Sequence, residues 1–204
     1  MHPGARERRH DGRVFILYAV IAGLVIGLVS GGSITRLGEL KLAWTPVIVL
    51  GMAAQVLLLS TPVGDALGPA APAAYVASNL AVLAAVWRNI AIPGLPLVLL
   101  GGASNLIAIV ANGGFMPVSA DALVAIGRAP REGYTNNRLA DGVVFAPLTD
   151  LFAMPAWVPM ANIFSIGDVL IGVGAAIAVV AAMHGRGPRI VRAATVDVGG
   201  APLH

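Results

Sequence analysis

Five long apolar stretches constrain the fold of this chain more than any other feature. They cover residues 14–30, 42–60, 73–87, 95–111 and 159–183, and a helix that crosses a bilayer needs about 20 apolar residues, with a range of roughly 17 to 25. Trp44, Trp87 and Trp157 lie at the ends of such stretches, and tryptophan prefers the interface between membrane and water. With 57% hydrophobic and only 11% charged residues, the composition lies outside the range of soluble domains. The sequence therefore predicts an all-α, polytopic membrane bundle with about five transmembrane helices.

A single membrane domain, residues 14–183, is predicted between a basic N-terminal tail, 1–13, and a basic C-terminal tail, 184–204. Five spans place the N-terminal tail, loop 61–72 and segment 112–158 on one side, here called side A. Loops 31–41 and 88–94 and the C-terminal tail share the opposite side, side B. Side B has six basic residues near the membrane and side A has four, and cytoplasmic loops carry an excess of Lys and Arg. We therefore expect the loops of Arg36 and Arg88 and the C-terminus to be cytoplasmic, with segment 112–158 outside.

The first apolar stretch allows two interpretations. Basic residues, an apolar run and the small residues Ser30 to Gly32 also fit a cleaved signal peptide. However, Gly23, Gly27 and Gly31 recur every four residues, and this spacing creates the small-residue face on which membrane helices approach closely. We therefore favour an anchored first helix.

Polar side chains inside the stretches are few and lie at one depth. Six carry an amide or a carboxylate and one carries a hydroxyl: Gln55, Asn79, Asn105, Asn112, Asn162, Asp168 and Ser165. When depth is counted from the span ends at about 1.5 Å per residue, all of them fall in the side A half. The sequence predicts a polar binding pocket there, covered by segment 112–158. Alternatively, each amide forms only an interhelical hydrogen bond, which contributes about 0.6 kcal/mol on average.

Segment 112–158 is too polar to cross lipid, and it contains helix and turn signals. Ser119 as N-cap and Asp121 in the first turn predict a short helix over 120–126 that Gly127 ends. The later part, 142–155, is apolar enough to lie on the membrane surface or to dip into the bundle. Because irregular backbone at membrane depth must be covered by protein or water, this segment also indicates a cavity.

Asp168 opens the last apolar stretch, and a carboxylate in a membrane segment is expensive and often functional. The pattern Ser165-Ile-Gly-Asp168 fits a capping box, in which Asp168 bonds back to the start of its own helix. We expect its further partner to be Asn112, Asn79 or a backbone N–H of segment 112–118. Alternatively, Asp150 and Asp168 form a catalytic pair, since two adjacent carboxyl groups can share a proton and activate water.

Two resemblances bear on this choice. Leu148-Thr-Asp150, the region of Trp157 and Phe164-Ser-Ile-Gly-Asp168 resemble the end of lipoprotein signal peptidase, a four-span aspartyl protease with Phe-Asn-x-Ala-Asp at its last helix. This resemblance implies an intramembrane hydrolase that uses Asp150 and Asp168, although Ser165 and Gly167 depart from that motif.

The second resemblance covers nearly the whole chain. Asn112-Gly-Gly-Phe-Met-Pro-Val-Ser119 and Asn162-Ile-Phe-Ser-Ile-Gly-Asp-Val-Leu170 resemble an uncharacterised family of bacterial five-span membrane proteins, a domain of unknown function. The resemblance implies the bacterial cytoplasmic membrane and no particular reaction.

The residue types present narrow the chemistry. The chain has no cysteine, which excludes disulfides, thiolate metal sites and cysteine nucleophiles, and its four histidines lie in tails or at a membrane edge. We expect no cofactor, no metal and no nucleic acid. We predict a binding or accessory protein rather than an enzyme, in contact with membrane lipid, whose pocket holds a lipid, a small molecule or a membrane-protein partner. An aspartyl hydrolase is the alternative, and a small transporter built by oligomerisation is the third hypothesis.

Overall fold

Helices dominate the computed structural model, which describes residues 13–127, 137–139 and 142–187. The helices are α1 (Arg13–Val29), α2 (Ile34–Gly38), α3 (Thr45–Ser60), α4 (Val63–Leu67), α5 (Ala71–Arg88), α6 (Leu95–Ala111), α7 (Ala120–Ala125) and α8 (Ile166–Met183). The short strands are β1 (Met116–Pro117), β2 (Asn137–Arg138), β3 (Phe152–Ala153) and β4 (Ile163–Phe164), of which β1 and β2 pair in parallel and β3 and β4 antiparallel. The predicted basic N-terminal tail up to residue 12, and the C-terminal tail from residue 188, lie outside the described residues.

Two helical stretches are long and apolar enough to cross a membrane. They are Val63–Arg88, with a mean hydropathy of 1.5, and Ile166–Met183, with 2.2. The first joins α4, a 3₁₀ turn (Gly68–Ala70) and α5, so the prediction of a loop over 61–72 was wrong for most of its length. Pro69 and Pro72 permit this helical path because each lies in the first turn of a helix, where no N–H bond is lost.

The last helix begins later than predicted. The predicted span 159–183 becomes a helix only at Ile166, because Ile163–Phe164 pairs as a strand with Phe152–Ala153 and Ser165 caps the helix. Apolar composition alone does not separate an extended segment from a helix. The remaining apolar helices, α1, α3 and α6, match their predicted stretches to within three residues at each end.

The five long helices pack in the order α1, α8, α6, α5, α3, and each contacts chiefly its neighbours in this order. Glycines bring α8 against both of its neighbours. A Cβ atom on Gly174 would lie 2.6 Å from the carbonyl oxygen of Gly94, beside α6, and one on Gly172 would lie 3.0 Å from Cβ of Ala19 in α1. Since these positions leave no room for a side chain, the helix backbones approach closely, as membrane helices do at small-residue interfaces.

The predicted glycine face of α1 is only partly correct. A Cβ atom on Gly23 would lie 2.8 Å from Cα of Ala176, and Gly27 faces Met183, so both pack against α8. Gly31 has no neighbour within 4 Å at that position and has a φ of +84°. Its role is to end the helix, because few residues other than glycine adopt that conformation.

Three helices end in the same way. At α1, α6 and α8 the third residue after the last helical residue donates its N–H to a carbonyl five positions back, over 2.7–2.8 Å, and the residue before it has a positive φ. This arrangement is a Schellman motif, which satisfies carbonyl groups that the helix leaves open. It explains the Asn112-Gly113-Gly114 sequence, in which the two glycines have φ of +78° and +90°.

Segment 112–165 folds back onto the bundle. Ser119 caps α7 and accepts a bond from the N–H of Ala122, which confirms the predicted short helix, although it ends at Ala125. The Phe164 ring stacks on Phe15 of α1 at 4.5 Å between centroids. The described part of this segment therefore contacts the side A ends of the helices.

Candidate functional site

Asn105, Ser165 and Asp168 form a closed ring of hydrogen bonds between α6 and the start of α8. Asn105 Nδ2 donates to Asp168 Oδ1 and Ser165 Oγ donates to Asn105 Oδ1, each over 2.8 Å. Within α8, Ser165 N–H donates to Asp168 Oδ2 and Asp168 N–H donates to Ser165 Oγ, each over 3.1 Å. We call these three residues the polar ring. The last two bonds are a capping box, which confirms the sequence prediction.

The polar ring lies alongside α6, before the C-terminal end of that helix. Asn105 is six residues before Ala111, the last residue of that helix, and six residues of α-helix span about 9 Å. The first turn of α8 is therefore beside the body of α6 rather than beside its end. The extended residues before Ile166 account for this position, because they carry the chain from the end of α6 to the level of Asn105 before α8 starts.

Gly167 makes the ring possible. A Cβ atom at this position would collide with Asn105 Oδ1 and would lie 2.7 Å from the Gly101 carbonyl oxygen. Only a residue without a side chain allows α6 to come close enough for its Asn105 amide to reach both Ser165 and Asp168. The Ser-x-Gly-Asp spacing thus combines helix capping with close helix contact.

The predicted partners of Asp168 were wrong. Its carboxylate bonds Asn105 and the Ser165 N–H, whereas we expected Asn112, Asn79 or the backbone of 112–118. Asn79 Nδ2 donates to the carbonyl oxygen of Tyr75 in its own helix, over 2.9 Å. The position of Asn105 six residues before the end of α6 matches the predicted span, but pairing depends on which helices are neighbours, and the sequence does not specify that order.

Asn112 holds the long segment to the end of α6. Its Nδ2 donates to the Val144 carbonyl oxygen and its Oδ1 accepts from the Val144 N–H, both over 2.9 Å, and Nδ2 also donates to Ala108. The amide therefore pairs with a peptide group as a neighbouring strand would. Of the two positions predicted for residues 142–155, on the membrane surface or in the bundle, this contact favours the bundle.

Asn89 makes the same contact at the opposite end of the bundle, and sequence reasoning missed it. Its Oδ1 accepts from the Ala43 N–H and its Nδ2 donates to the Ala43 carbonyl oxygen, each over 2.8 Å. The residue is buried and follows the last residue of α5, as Asn112 follows α6. An asparagine directly after an apolar helix was the available signal.

The remaining predicted site residues lie apart from the ring. Asn162 is buried, and its carbonyl oxygen accepts from the Met154 N–H over 2.8 Å, which fixes the turn between β3 and β4. Gln55 is half-buried on α3, two helices away from α6 in the packing order. The structure thus unites Asn105, Ser165 and Asp168, and it gives Asn112, Asn79 and Asn162 separate bonds.

Asp150 is buried beside β1. Its N–H donates to the Pro117 carbonyl oxygen and its own carbonyl oxygen accepts from the Ser119 N–H, each over 3.1 Å. The bonds to the Asp168 carboxylate come from Asn105 and Ser165. The catalytic pair stays a prediction. Across the described ranges, no group of three or more His, Asp or Glu side chains could hold a metal ion.

Comparison with known proteins places the ring within a family. The sequence profile of a family described as "Family of unknown function (DUF5317)" matches residues 39–180, well over half of the chain. The chain belongs to this family. The DUF5317 match includes both sequence motifs and the whole polar ring, and it confirms the predicted resemblance to an uncharacterised family. No curated protein and no solved structure matches the chain.

Proposed function

We propose that this chain is an integral membrane protein in which α1, α3, α5, α6 and α8 all cross the bilayer. The exposed apolar surface of these helices supports the proposal. Large apolar side chains that are roughly half exposed or more occur on each of them: Leu17, Val25, Leu50, Leu57, Leu80, Leu100, Ile107 and Val173. The core helix of a soluble protein would be mostly buried. In the most apolar 18 residues of Val63–Arg88 only 22% are buried, and in Ile166–Met183 only 33% are. Monomeric soluble proteins rarely expose apolar patches of more than a few hundred Å².

The charges of the described residues favour the predicted orientation. Side B has the four basic residues Arg36, Lys41, Arg88 and Arg186, whereas side A has two, Arg13 and Arg138. Because basic residues concentrate in cytoplasmic loops, side B faces the cytoplasm in this proposal. Segment 112–165 then lies on the outer face of a bacterial cytoplasmic membrane.

The proposed function within this membrane is binding, with the polar ring as the site. Both Asp168 oxygens accept hydrogen bonds, as the oxygens of an ionised carboxylate do. No Lys or Arg of the described ranges is bonded to that carboxylate, whereas intramembrane acids usually pair with a cation or mark a ligand pathway. We therefore propose a ligand or partner segment that supplies positive charge or hydrogen-bond donors to Asp168 from side A.

The topology is testable because the chain has no cysteine. Glu39 and Asp121 are both exposed and are separated by three proposed spans. A membrane-impermeant maleimide should label Asp121→Cys on intact cells and should label Glu39→Cys only after lysis. Labelling of both variants on intact cells would contradict the three spans, and the opposite pattern would reverse the orientation.

Binding at the ring is tested by native mass spectrometry of the protein purified from its own membranes in mild detergent. A co-purifying mass is expected with the wild type and with Asn79→Ala, whose amide bonds its own helix. It should be lost from Asp168→Asn, in which charge is removed while the side-chain shape is kept. Equal retention by Asp168→Asn, or no bound mass on the wild type, would contradict the proposal; circular dichroism checks that each variant is folded.

A further inference from the structure

An apolar groove lies at the side B end of the bundle, far from the polar ring. It has a volume of about 540 Å³ and is lined by Ile26 of α1, Pro93 before α6, and Ala176, Ile177 and Val180 of α8, with Arg186 at its end. Small-molecule sites have volumes of about 300–1,000 Å³. The groove lining on α8 starts at Ala176 and reaches His184, which corresponds to about 12 Å of helix. This length is close to the depth of one leaflet of a hydrocarbon core about 30 Å thick.

The end of α8 places Arg186 at the mouth of the groove. Gly185, with a φ of +75°, reverses the chain, and the N–H groups of Gly185 and Arg186 donate to Ala182 and Ala181, each over 2.8 Å. Arg186 therefore follows the helix at a fixed position, and it lines the groove. The wall opposite is also fixed, because the Ser33 N–H donates to the Met183 carbonyl oxygen over 2.9 Å.

His184 joins the two helices that form the groove. Its Nδ1 is 2.9 Å from the Val180 carbonyl oxygen and its Nε2 is 3.1 Å from the Ser30 carbonyl oxygen. The contact keeps α1 and α8 together at this end, so the groove is a built feature of the described structure.

The wall of the groove and its mouth differ in chemistry. Its wall is apolar along α8 and α1, and Arg186 lines it where α8 ends, on the more basic side of the bundle. A hydrocarbon chain matches the wall, and a phosphate group matches the mouth, since guanidinium binds phosphate through two parallel hydrogen bonds. Basic pockets between membrane helices on the cytoplasmic side bind anionic lipid headgroups in this manner.

We infer that this groove binds an anionic phospholipid of the side B leaflet, with one acyl chain along Ile177 and Val180 and the phosphate at Arg186. The inference rests on the membrane embedding proposed above, but not on a ligand at the polar ring. Asp168 and His184 are sixteen residues apart on α8, about 24 Å. The two sites can therefore fail independently.

The test measures lipid affinity of the full chain in detergent by native mass spectrometry, with phosphatidylglycerol and phosphatidylcholine of identical acyl chains as probes. Phosphatidylglycerol should bind more tightly, and Arg186→Gln should weaken it about fivefold, the factor expected for one basic side chain at an anionic surface. Arg88→Gln is the matched control, because Arg88 is an exposed side B arginine outside the groove. Equal effects of Arg186→Gln and Arg88→Gln would show diffuse charge attraction and would overturn the inference.

A second variant tests the acyl chain. Ile177→Trp should fill the groove and weaken both lipids, whereas Leu50→Trp on α3, where Leu50 is 69% exposed, should weaken neither. Glycerol phosphate, which has no acyl chain, is then added as a competitor of bound phosphatidylglycerol. If it displaced the lipid as strongly as added phosphatidylglycerol does, the acyl-chain assignment would be overturned. Asp168→Asn should leave lipid affinity unchanged. Recovery of the wild type in the carbonate-insoluble membrane fraction shows that the protein is embedded in the membrane, so that a failure of this inference can be told from a failure of the proposed membrane embedding.

Discussion

The bond between Asn105 and Asp168 should contribute measurable stability, and a double-mutant cycle isolates it. Asn105→Ala removes one bond to the Asp168 carboxylate and one from the Ser165 hydroxyl. Interhelical hydrogen bonds in membrane proteins contribute about 0.6 kcal/mol on average and about 1.7 kcal/mol at most. Because one of the two bonds involves a charged acceptor, we expect Asn105→Ala to cost about 1–3 kcal/mol in unfolding free energy.

The cycle consists of Asn105→Ala, Asp168→Ala and the double variant, unfolded with sodium dodecyl sulfate in mixed micelles and followed by circular dichroism. Asp168→Ala also removes the capping box, but that loss is common to both arms and cancels in the coupling energy. We expect a coupling of about 1 kcal/mol, in the range found for residues in contact. The matched control, Asn79→Ala, should cost less than Asn105→Ala, since Asn79 bonds its own helix. A coupling below about 0.3 kcal/mol, the scatter for independent sites, would refute the ring as a stabilising unit.

Three further outcomes follow from the geometry. Gly167→Ala should lower the unfolding free energy by about 1–3 kcal/mol, as overpacking does, because the new Cβ meets Asn105 Oδ1. In the same unfolding assay the control Gly38→Ala should leave the unfolding free energy unchanged, because there is open space around Gly38. Asn112→Asp keeps an acceptor for the Val144 N–H but loses both amide donations, so limited proteolysis should cut segment 112–158 several-fold faster than in the wild type, and an unchanged rate would count against this anchor. Asn89→Asp should leave proteolysis of that segment unchanged, because its contact lies at the other end of the bundle.

Local signals in the sequence predicted local structure well. The Ser165–Asp168 capping box and the Ser119 cap were both correct, because a cap depends on residues within one helical turn. The bounds of α6 were also correct, since the glycine before it and Asn112-Gly113-Gly114 after it mark both ends.

Features that depend on distant residues could not be predicted in this way. The apolar stretch 159–183 begins seven residues before α8, because an apolar strand and an apolar helix have the same composition; only the Ser165 cap predicted where the helix starts. The pairing of Asn105 with Asp168 required α6 and α8 to be neighbours, and the glycines that make them neighbours, Gly101 and Gly167, are ordinary membrane-helix residues in the sequence. Asn89 was missed because its partner, Ala43, has no polar side chain to mark it.

The packing order of the helices has a consequence for biogenesis. Helices α3, α5 and α6 each meet a neighbour that is close in the chain, whereas α1 packs chiefly against α8, which lies more than 130 residues further along the sequence. A chain emerges from the ribosome N-terminal end first, so α1 is made long before Ala176 and Met183, the residues that cover its Gly23 and Gly27, have been translated. In the proposed membrane topology, α1 would therefore wait for its partner until α8 is made, and a chain that stops after α6 would leave α1 exposed to lipid or to the membrane insertion machinery.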